Sequence, residues 1–538
     1  MNLVTEPWIP VVGIDGGHRL ASVKQIFTEG RQFADLSVRP HERIALMRLL
    51  ICIAQAALDG PEEYYDGWIN APKNLPDAAQ KYLEQWRDSF ELFHPKRPLL
   101  QIPDLEKPPK ANKSNEDDAD DFTSLSKLDF ALATGNNTTL FDHPGMADVN
   151  RQFSPAAVAL MLFTFQNFSP GGTIGVALWK QQPTPGWKSY PKVKPGQSNH
   201  APCLPSSMLH SFIRHNTLFD TLCANLLTKE RVIEHFGNDS WGRPIWQKPP
   251  SDFNDADNIK NATRTYLGRL IPLSRSVRLI SDDKGMLLAN GLEYPAFPNF
   301  PPETSATVII SKDRTKRLLL RAGAKAIWRE LSALTVARKR DSAGGALTLN
   351  NLSENEPFDL WAGAFLTDKA SVLDTVESVF HIPAKLRTNV GRAAYTAEVE
   401  WAEGINRKLS WAVETYREQI DGGWDARVKM AGPKKNELRG KLHATATRHY
   451  WTAVEKLRPL LMAHVETIGT TAEAVEKTRN EWRRAVHGAA REAYCLACGQ
   501  ETPRQMRAFA LGWSKLFAKR KTESEKPEEP ETEVTEGE

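Results

Sequence analysis

The sequence predicts an α+β protein, with a large mixed α/β N-terminal domain at residues 1–379 and an all-α four-helix bundle at 380–521. Over the first of these, short alternating apolar stretches and Gly- and Pro-rich turns interrupt the helical periods. From about residue 392 the pattern changes to long helical periods with brief breaks. The final stretch, 522–538, combines eight Glu with Pro and Thr and predicts a disordered acidic tail.

The composition is that of an ordinary soluble globular protein, with 41% hydrophobic and 25% charged residues. No apolar run approaches the ~20 residues of a membrane span. The N-terminus has no basic segment and no long apolar segment, so we expect no signal peptide. Five cysteines without framework spacing favour the reducing cytoplasm. The acidic tail holds eight Glu and one Lys, which leaves the rest of the chain at +10, a charge that permits nucleic-acid binding.

The first part of the chain predicts small strands around two amphipathic helices. Apolar residues at helical spacing define the first helix, and the turn Asp15-Gly16-Gly17 separates the first two strands. In order, the predicted elements are strands at 3–12 and 19–21, helices at 40–58 and 77–90, a strand at 99–102 and a polar loop at 107–121.

A strongly apolar helix is predicted at 155–168, between two loops rich in Gly, Asn, Thr and Pro. Ser154 followed by Pro155 is typical of an N-cap with proline at the first helical position. The helix has almost no polar face, which predicts a buried post that holds both loops in place. In the second loop Gly171, Gly172 and Gly175 would allow a close approach to a phosphate backbone or a base edge. The alternative is a pair of surface turns beside a core helix.

Downstream, a hairpin is predicted at 274–291 around the turn Asp282-Asp283-Lys284-Gly285. A lysine at the tip of such a ribbon can enter a DNA groove, although solvated turn lysines are also common. The other predicted elements are an irregular segment at 179–205, a helix at 206–227, strands at 306–310 and 317–320, a helix at 324–334, and four long helices at 392–420, 436–465, 472–496 and 503–519.

No catalytic signature is present in the sequence. It contains no HExxH, GxSxG or Walker A motif, so we predict no enzyme activity and no cofactor. Cys495 and Cys498 have CxxC spacing, but a structural zinc site needs four ligands and there is no second CxxC. We therefore interpret them as packed thiols near the end of a helix and predict no metal site.

Several stretches together resemble the CasA family, the large subunit of the type I-E CRISPR Cascade complex. They are MNLVTEPWIPV at the start, TGNNTTLFDHPGMA, the apolar helix with its glycine loop, ANGLEYPAFP, PFDLWAGAF and the helical C-terminal third. They follow the family's order over nearly the whole chain, and this order carries more weight than any single motif.

The resemblance implies a subunit that recognises the protospacer-adjacent motif (PAM) in double-stranded target DNA, largely from the minor groove. It further implies contact with the crRNA 5′ handle, strand opening that leads to an R-loop, and recruitment of the Cas helicase-nuclease. The expected partners are the other Cascade subunits, crRNA and duplex DNA, with no membrane and no catalysis. In such systems the protein reads shape and PAM, while base pairing reads sequence.

The resemblance also implies individual residue roles. The implied positions are Phe141 for the crRNA handle contact, Gly171, Gly172 and Gly175 for the glycine loop at the PAM, Lys284 for the lysine finger, and Thr367, Asp368 and Lys369 for the wedge. The chain departs from the family in two places: no cysteine-rich zinc loop precedes the lysine hairpin, and the wedge carries a carboxylate where an amide-rich tip is expected.

Two other functions are compatible with the sequence. The first is a nuclease or other nucleic-acid enzyme with an unrecognised active site, which metal-dependent cleavage by the isolated protein would favour. The second is a structural scaffold without DNA contact, which would be favoured if Lys284 and the glycine loop contributed nothing to DNA binding.

Overall fold

The protein is a mixed α and β fold that divides into two compact units, Met1–Arg387 and Thr388–Glu538. The structure is a computed structural model. It describes residues 1–107, 122–130, 152–169, 177–180, 204–280, 285–292, 294–295, 301–311, 313, 316–323, 325–353, 356–368, 371–422 and 433–517. Within these ranges no helix is both long enough and apolar enough to cross a bilayer.

Twelve strands lie in the described part of the first unit, in five small sheets whose neighbouring strands are all antiparallel. The strands are β1 (Ile9–Gly13), β2 (His18–Ala21), β3 (Phe33–Leu36), β4 (Leu105–Glu106), β5 (Leu178–Trp179), β6 (His210–Arg214), β7 (Arg275–Ile280), β8 (Gly285–Asn290), β9 (Val308–Ile310), β10 (Arg317–Leu319), β11 (Phe358–Asp368) and β12 (Ser371–Ile382). The sheet orders are β2-β1-β3, β4-β5, β7-β8, β10-β9 and β12-β11-β6.

Ten α-helices of the described residues belong to the first unit. They are α1 (Val23–Thr28), α2 (Pro40–Leu58), α3 (Ala71–Gln85), α4 (Pro155–Phe168), α5 (Leu218–Ala224), α6 (Lys229–Phe236), α7 (Ala256–Arg264), α8 (Tyr266–Leu270), α9 (Leu331–Leu334) and α10 (Ala384–Arg387). Of these, α2 and α4 have the predicted bounds, and both are mostly buried.

The helix predicted at 206–227 is wrong. The structure divides this stretch into β6, a short turn and α5. Strand β6 pairs with β11, with Phe212 opposite Trp361, and the two rings pack at a centroid distance of 5.8 Å. Pairing with a distant strand therefore overrides the local apolar pattern, which a helix would also have satisfied.

A buried ionic cluster joins α2 to α8 and the segment before β9. The Arg48 Nη1 lies 2.6 Å from Glu303 Oε2, and the Arg269 Nε lies 3.0 Å from Glu303 Oε1. Arg338 donates from Nη2 to the Glu303 carbonyl at 2.8 Å. Burial alone would favour the neutral acid, but the Arg48 and Arg269 guanidiniums hold the pKa of Glu303 below its ordinary value. This cluster was not predicted from the sequence.

The described part of the second unit is helical, and its long helices overlap the predicted ones, except that the helix predicted at 436–465 is divided into two. They are α11 (Asn389–Gly422), α12 (Pro433–Lys456), α13 (Arg458–Thr467), α14 (Ala472–Ala497) and α15 (Pro503–Leu516). Helix α11 packs against α15, α12 and α14, and α14 packs against α12 and α13. Only Leu457 separates α12 from α13, where Pro459 lies near the start of α13. Phe380, where the sequence placed the start of this region, lies in β12.

Candidate nucleic-acid interface

Helix α4 is mostly buried, as the sequence predicts. The Ser154 Oγ accepts a hydrogen bond from the Ala157 backbone N–H at 3.2 Å, and Pro155 occupies the first turn. Apolar side chains along most of the helix are buried. The helix therefore holds both of its ends in fixed positions within the first unit.

The C-terminal end of α4 carries three buried polar residues that the sequence analysis did not single out: Gln166, Asn167 and Ser169. The Gln166 side chain donates to the Leu100 carbonyl at 3.1 Å and to the Arg275 carbonyl at 2.9 Å, and it accepts from the Arg275 N–H at 2.9 Å. The Ser169 Oγ accepts from Arg275 Nε at 2.9 Å. The end of α4 is thus bonded to the first residue of β7.

The hairpin predicted around Lys284 is confirmed by the pairing of β7 with β8. Its register runs from Arg275 opposite Asn290 to Ile280 opposite Gly285. We call this pair of strands the β7–β8 ribbon. Lys284 itself lies outside the described residues, but the two strand ends that flank it are adjacent in the ribbon.

A glycine is required where the turn returns to β8. Gly285 has φ +120°, and a Cβ there would lie 2.7 Å from the Thr123 carbonyl oxygen. Thr123 and Met286 exchange backbone hydrogen bonds of 2.9 and 2.8 Å, so residues 122–123 are paired with this end of the ribbon. The Lys107 Nζ lies 4.0 Å from the centroid of the Phe122 ring. Both described ends of the predicted polar loop are therefore near the end of the ribbon at Gly285.

The residues that flank the glycine loop also contact the ribbon. Ser169 precedes residues 170–176 and is bonded to Arg275, while the Ala177 N–H, just after them, donates to the Leu288 carbonyl at 3.1 Å. Gly171, Gly172 and Gly175 themselves lie outside the described residues. The structure thus brings the flanks of the glycine loop and the base of the lysine hairpin together on one ribbon.

The two described wedge residues lie at the end of a long hairpin. Thr367 and Asp368 end β11, and Ser371 begins β12. The register shifts between Leu366 and Thr367, which re-aims the strand end. The Thr367 carbonyl accepts from Ser206 Oγ at 3.0 Å and from Ser207 Oγ at 3.2 Å. Lys369 lies outside the described residues.

An aromatic cluster joins α2, α4, β11 and the residues before the segment that contains Phe141. The Phe365 ring is 4.8 Å from the His41 ring and 5.1 Å from both Phe130 and Phe168, measured between centroids. Burial, together with the nearby Arg39 guanidinium, lowers the pKa of His41 to about 3, so the imidazole is neutral at physiological pH. No sequence motif indicated His41, because its neighbours come from three distant parts of the chain.

For Phe141, the residue predicted to contact the crRNA handle, the structure describes only the residues that lead to its segment. Phe141 lies outside the described residues, and Phe130 is the last described residue before it. Phe130 packs on Phe165 of α4 at a centroid distance of 5.9 Å. The preceding Asp129 forms an ion pair with Arg39 at 3.0 Å between Oδ1 and Nη1. The segment that leads to Phe141 therefore starts from a fixed position beside α2 and α4.

The two CxxC cysteines lie at the end of α14. Cys495 is exposed and Cys498 is buried, and both are free thiols. Burial raises the pKa of the Cys498 thiol to about 12. Among the described residues, no group of three or more His, Cys, Asp or Glu side chains is arranged to hold a metal ion.

Known proteins are similar to this chain over most of its length. The family model described as CRISPR-associated protein Cse1 matches residues 2–493. A curated protein of Thermus thermophilus, the CRISPR-associated protein CasA/Cse1, is 28% identical over 518 residues, which are 92% of this chain and 91% of that protein.

Solved structures share the fold. The crystal structure of Thermus thermophilus CasA has a TM-score of 0.70 at 24% identity and covers 96% of this chain and 98% of its own. Thermobifida fusca Cse1 has a TM-score of 0.70 at 21% identity, with coverage of 96% and 98%. A chain of a CRISPR RNA-guided surveillance complex has a TM-score of 0.67 at 18% identity, with coverage of 96% and 99%.

Proposed function

Because the chain belongs to the CRISPR-associated protein Cse1 family, we propose that it is the large subunit of a type I-E RNA-guided Cascade surveillance complex. In this role it recognises the PAM in double-stranded target DNA, contacts the crRNA 5′ handle and promotes strand opening and R-loop formation. It then helps to recruit the helicase-nuclease. The protein works in the cytoplasm with the other Cascade subunits and has no catalytic activity of its own.

The observation that carries the proposal is that the flanks of the glycine loop and the turn with Lys284 all adjoin the β7–β8 ribbon. Ser169 and Ala177, the flanks of the glycine loop, bond to the same ribbon whose turn contains Lys284. A lysine and a glycine-rich segment that adjoin one ribbon would suit the minor groove, which offers acceptors in a degenerate pattern. Through these groups the protein reads the PAM loosely.

The bundle and the domain limits also remain proposals. We propose that α12 and α13 act as one bent helix, so that the second unit is a four-helix bundle built with α11, α14 and α15. The functional domains are then the mixed α/β domain, which extends past the predicted limit of 379 to Arg387 because β12 and α10 belong to it, the bundle from Thr388 to about 521, and the acidic segment at 522–538. Basic residues of the bundle guide displaced DNA or neighbouring subunits.

The test is substitution of the ribbon lysine in the assembled complex. Lys284→Ala should weaken binding of PAM-containing duplex by ~1–3 kcal/mol, because a groove contact is lost. Binding is measured on the PAM-containing duplex and on a matched duplex without the PAM. Lys316 near β10 serves as the control, and Lys316→Ala should leave both affinities near those of the parent complex.

The two targets separate PAM reading from general attraction to DNA. A loss of the same size on both targets would make Lys284 a nonspecific phosphate contact. No loss on either target would favour the scaffold function without DNA contact.

A further inference from the structure

Three helices of the second unit meet along a surface where aromatic rings alternate with cations. The Arg483 Cζ lies 5.0 Å from the centroid of the Trp401 ring, and the His487 ring meets the same tryptophan edge-on at a centroid distance of 5.2 Å. The Lys515 Nζ lies 5.0 Å from the centroid of the Trp411 ring. Cations over ring faces are attracted by the ring quadrupole. These contacts join α11 to α14 and α15.

The spacing of the residues places them on one side of each helix. Trp401, Lys408 and Trp411 lie on one face of α11, because they are seven and three positions apart. His487 and Arg491 are four positions apart in α14. Burial lowers the pKa of the His487 imidazole, and nearby cations that include Lys408 and Arg491 lower it as well. Cations from two different helices therefore lie close to the same ring.

This surface carries positive charge that neighbouring carboxylates do not neutralise. Lys408, Arg491 and Lys515 form no ion pair with a carboxylate of the residues that the structure describes. Glu414 of α11 is already paired, because it accepts a hydrogen bond from Arg417 at 2.8 Å. We call this surface the cationic face and define it by Trp401, Lys408, Trp411, Arg491, Lys515 and Phe517.

The chain carries a segment of opposite charge close to this face. Phe517 is the last described residue, and the centroid of its ring lies 5.0 Å from the Arg491 Cζ. The acidic segment 522–538 begins five residues further along, with eight Glu and one Lys for a net charge of −7. Five residues span at most about 18 Å. A tether this short raises the local concentration of the segment at the face to roughly the millimolar range.

We propose that the acidic segment 522–538 docks on the cationic face of its own chain, where its glutamates pair with Lys408, Arg491 and Lys515. The segment fits the face because it supplies the opposite charge and is tethered beside Arg491. Its Glu- and Pro-rich sequence has little apolar surface to bury, so the contact is mainly electrostatic. Docking covers aromatic and cationic side chains that would otherwise attract polyanions without sequence preference. This contact is separate from PAM recognition.

Binding of the segment in trans tests the proposal. The protein is the full chain with the eight Glu of 522–538 replaced by Gln, and the probe is a fluorescently labelled peptide of residues 522–538. The peptide should bind this chain at low ionic strength, and 1 M salt should abolish binding, because the Debye length then falls to about 3 Å. The parent chain should bind the peptide at least about 5-fold more weakly, since its own segment occupies the face.

A triple variant of the Gln-substituted chain locates the site. Lys408→Gln, Arg491→Gln and Lys515→Gln together should weaken peptide binding by roughly 3- to 100-fold, because each exposed ion pair contributes a factor of about 1.4 to 5. Glutamine keeps much of the side-chain length and removes the charge. Circular dichroism checks that the variant retains the helical content of the parent.

The matched control removes the same kinds of charge from exposed positions of α12, at Lys441, Arg448 and Lys456. Gln at all three positions should change peptide affinity by less than about 2-fold. Absence of peptide binding, or equal losses in the two triple variants, would overturn the proposal. So would a parent chain that binds the peptide as tightly as the Gln-substituted chain does.

A single-stranded oligonucleotide, used as a second probe, distinguishes the segment from nucleic acid as the occupant. The oligonucleotide should bind the parent chain more weakly than the Gln-substituted chain, because the segment covers the face in the parent. If the parent chain binds it through Lys408, Arg491 and Lys515 as tightly as the Gln-substituted chain does, the face is a nucleic-acid site and the proposal fails.

Discussion

Glu303 is a buried carboxylate at the centre of an ionic cluster in the first unit. It neutralises Arg48 and Arg269, and the side chains of all three are 5% exposed or less. We expect Glu303→Gln to lower the free energy of unfolding by ~3–5 kcal/mol, because two buried guanidiniums then lack their counter-charge. Urea denaturation of the full chain measures the loss in the transition of the first unit.

Glu234→Gln provides the surface comparison. Its partner is Arg231, at 2.8 Å between Oε2 and Nη1, and both side chains are more than 40% exposed. This change should cost no more than ~1 kcal/mol. Equal losses in the two variants would mean that the buried cluster contributes little to stability.

Buried neutral histidines give the first unit a defined acid sensitivity. Burial lowers the pKa of His41 and of His210 to about 3, and that of His235 to about 4. Nearby guanidiniums are the second cause of these same shifts: Arg39 acts on His41, Arg48 on His210 and Arg338 on His235. The unfolded chain therefore binds more protons than the folded chain below the ordinary histidine pKa of 6.5.

Stability should thus fall as the pH drops from 6.5 toward 4, by up to ~1.4 kcal/mol per pH unit for each histidine. The measurement is the thermal midpoint as a function of pH. His41→Phe should reduce the slope of stability against pH, because it removes the contribution of one titrating histidine. An unchanged slope would show that the pKa of His41 is not lowered in the folded protein.

Individual residues were predictable from the sequence where their partners are local. Ser154 caps α4 through the Ala157 N–H, three positions away, and the sequence predicted that cap. Gln166, Ser169 and His41 were missed because their partners lie in distant parts of the chain. A glutamine or histidine in a sequence carries no sign of the strand or ring that it will meet.

At the scale of elements, the β11–β12 hairpin makes the wedge testable. An Asp368→Ala, Lys369→Ala double variant should bind a PAM duplex more weakly, and a bubble beside the PAM should restore binding. Inserting side chains between base pairs costs a few kcal/mol, which a pre-opened target no longer requires. Filter binding by the assembled complex on both targets measures the difference.

Asp313→Ala is the control, since Asp313 lies between β9 and β10 and is outside the proposed interface. It should leave both affinities unchanged. A duplex defect that the bubble does not relieve would remove the wedge role from Asp368 and Lys369.

Long helices and tight turns were predictable, and strand partners were not. The helical period fixed α2 and α4, and the Gly285 turn indicated the β7–β8 ribbon. In contrast, the strand predicted at 99–102 is not a strand, and 206–227 is not one helix. Leu99 and Ile102 are buried in the core, and the Ile102 N–H donates to the Val277 carbonyl at 2.8 Å, but the stretch does not continue as a paired strand. An apolar run does not reveal this difference.

At the scale of the whole molecule, the second unit offers a test of independence. A fragment of residues 388–521 should be soluble and helical by circular dichroism. Glu398, which is buried, accepts two hydrogen bonds from Arg483 at 2.9 and 2.7 Å, and the Tyr450 hydroxyl donates to the Ala402 carbonyl at 2.7 Å. These contacts all lie within the fragment.

Cooperative thermal unfolding of the fragment would support a separate domain. The sharper comparison is Glu398→Gln within the fragment, which should lower its midpoint because the Arg483 pairing is weakened. A fragment without cooperative unfolding would show that the helices depend on the first unit.

The burial of the Arg48–Glu303–Arg269 cluster has a practical consequence for salt titrations. Ions screen exposed charges within ~10 Å at 0.1 M but reach buried pairs far less. Raising the ionic strength should therefore strip DNA from the protein while leaving this cluster intact. The slope of log affinity against log salt concentration then counts the phosphates that the protein contacts, at about 0.9 released counterions per contact on B-form DNA, with little contribution from loss of the fold.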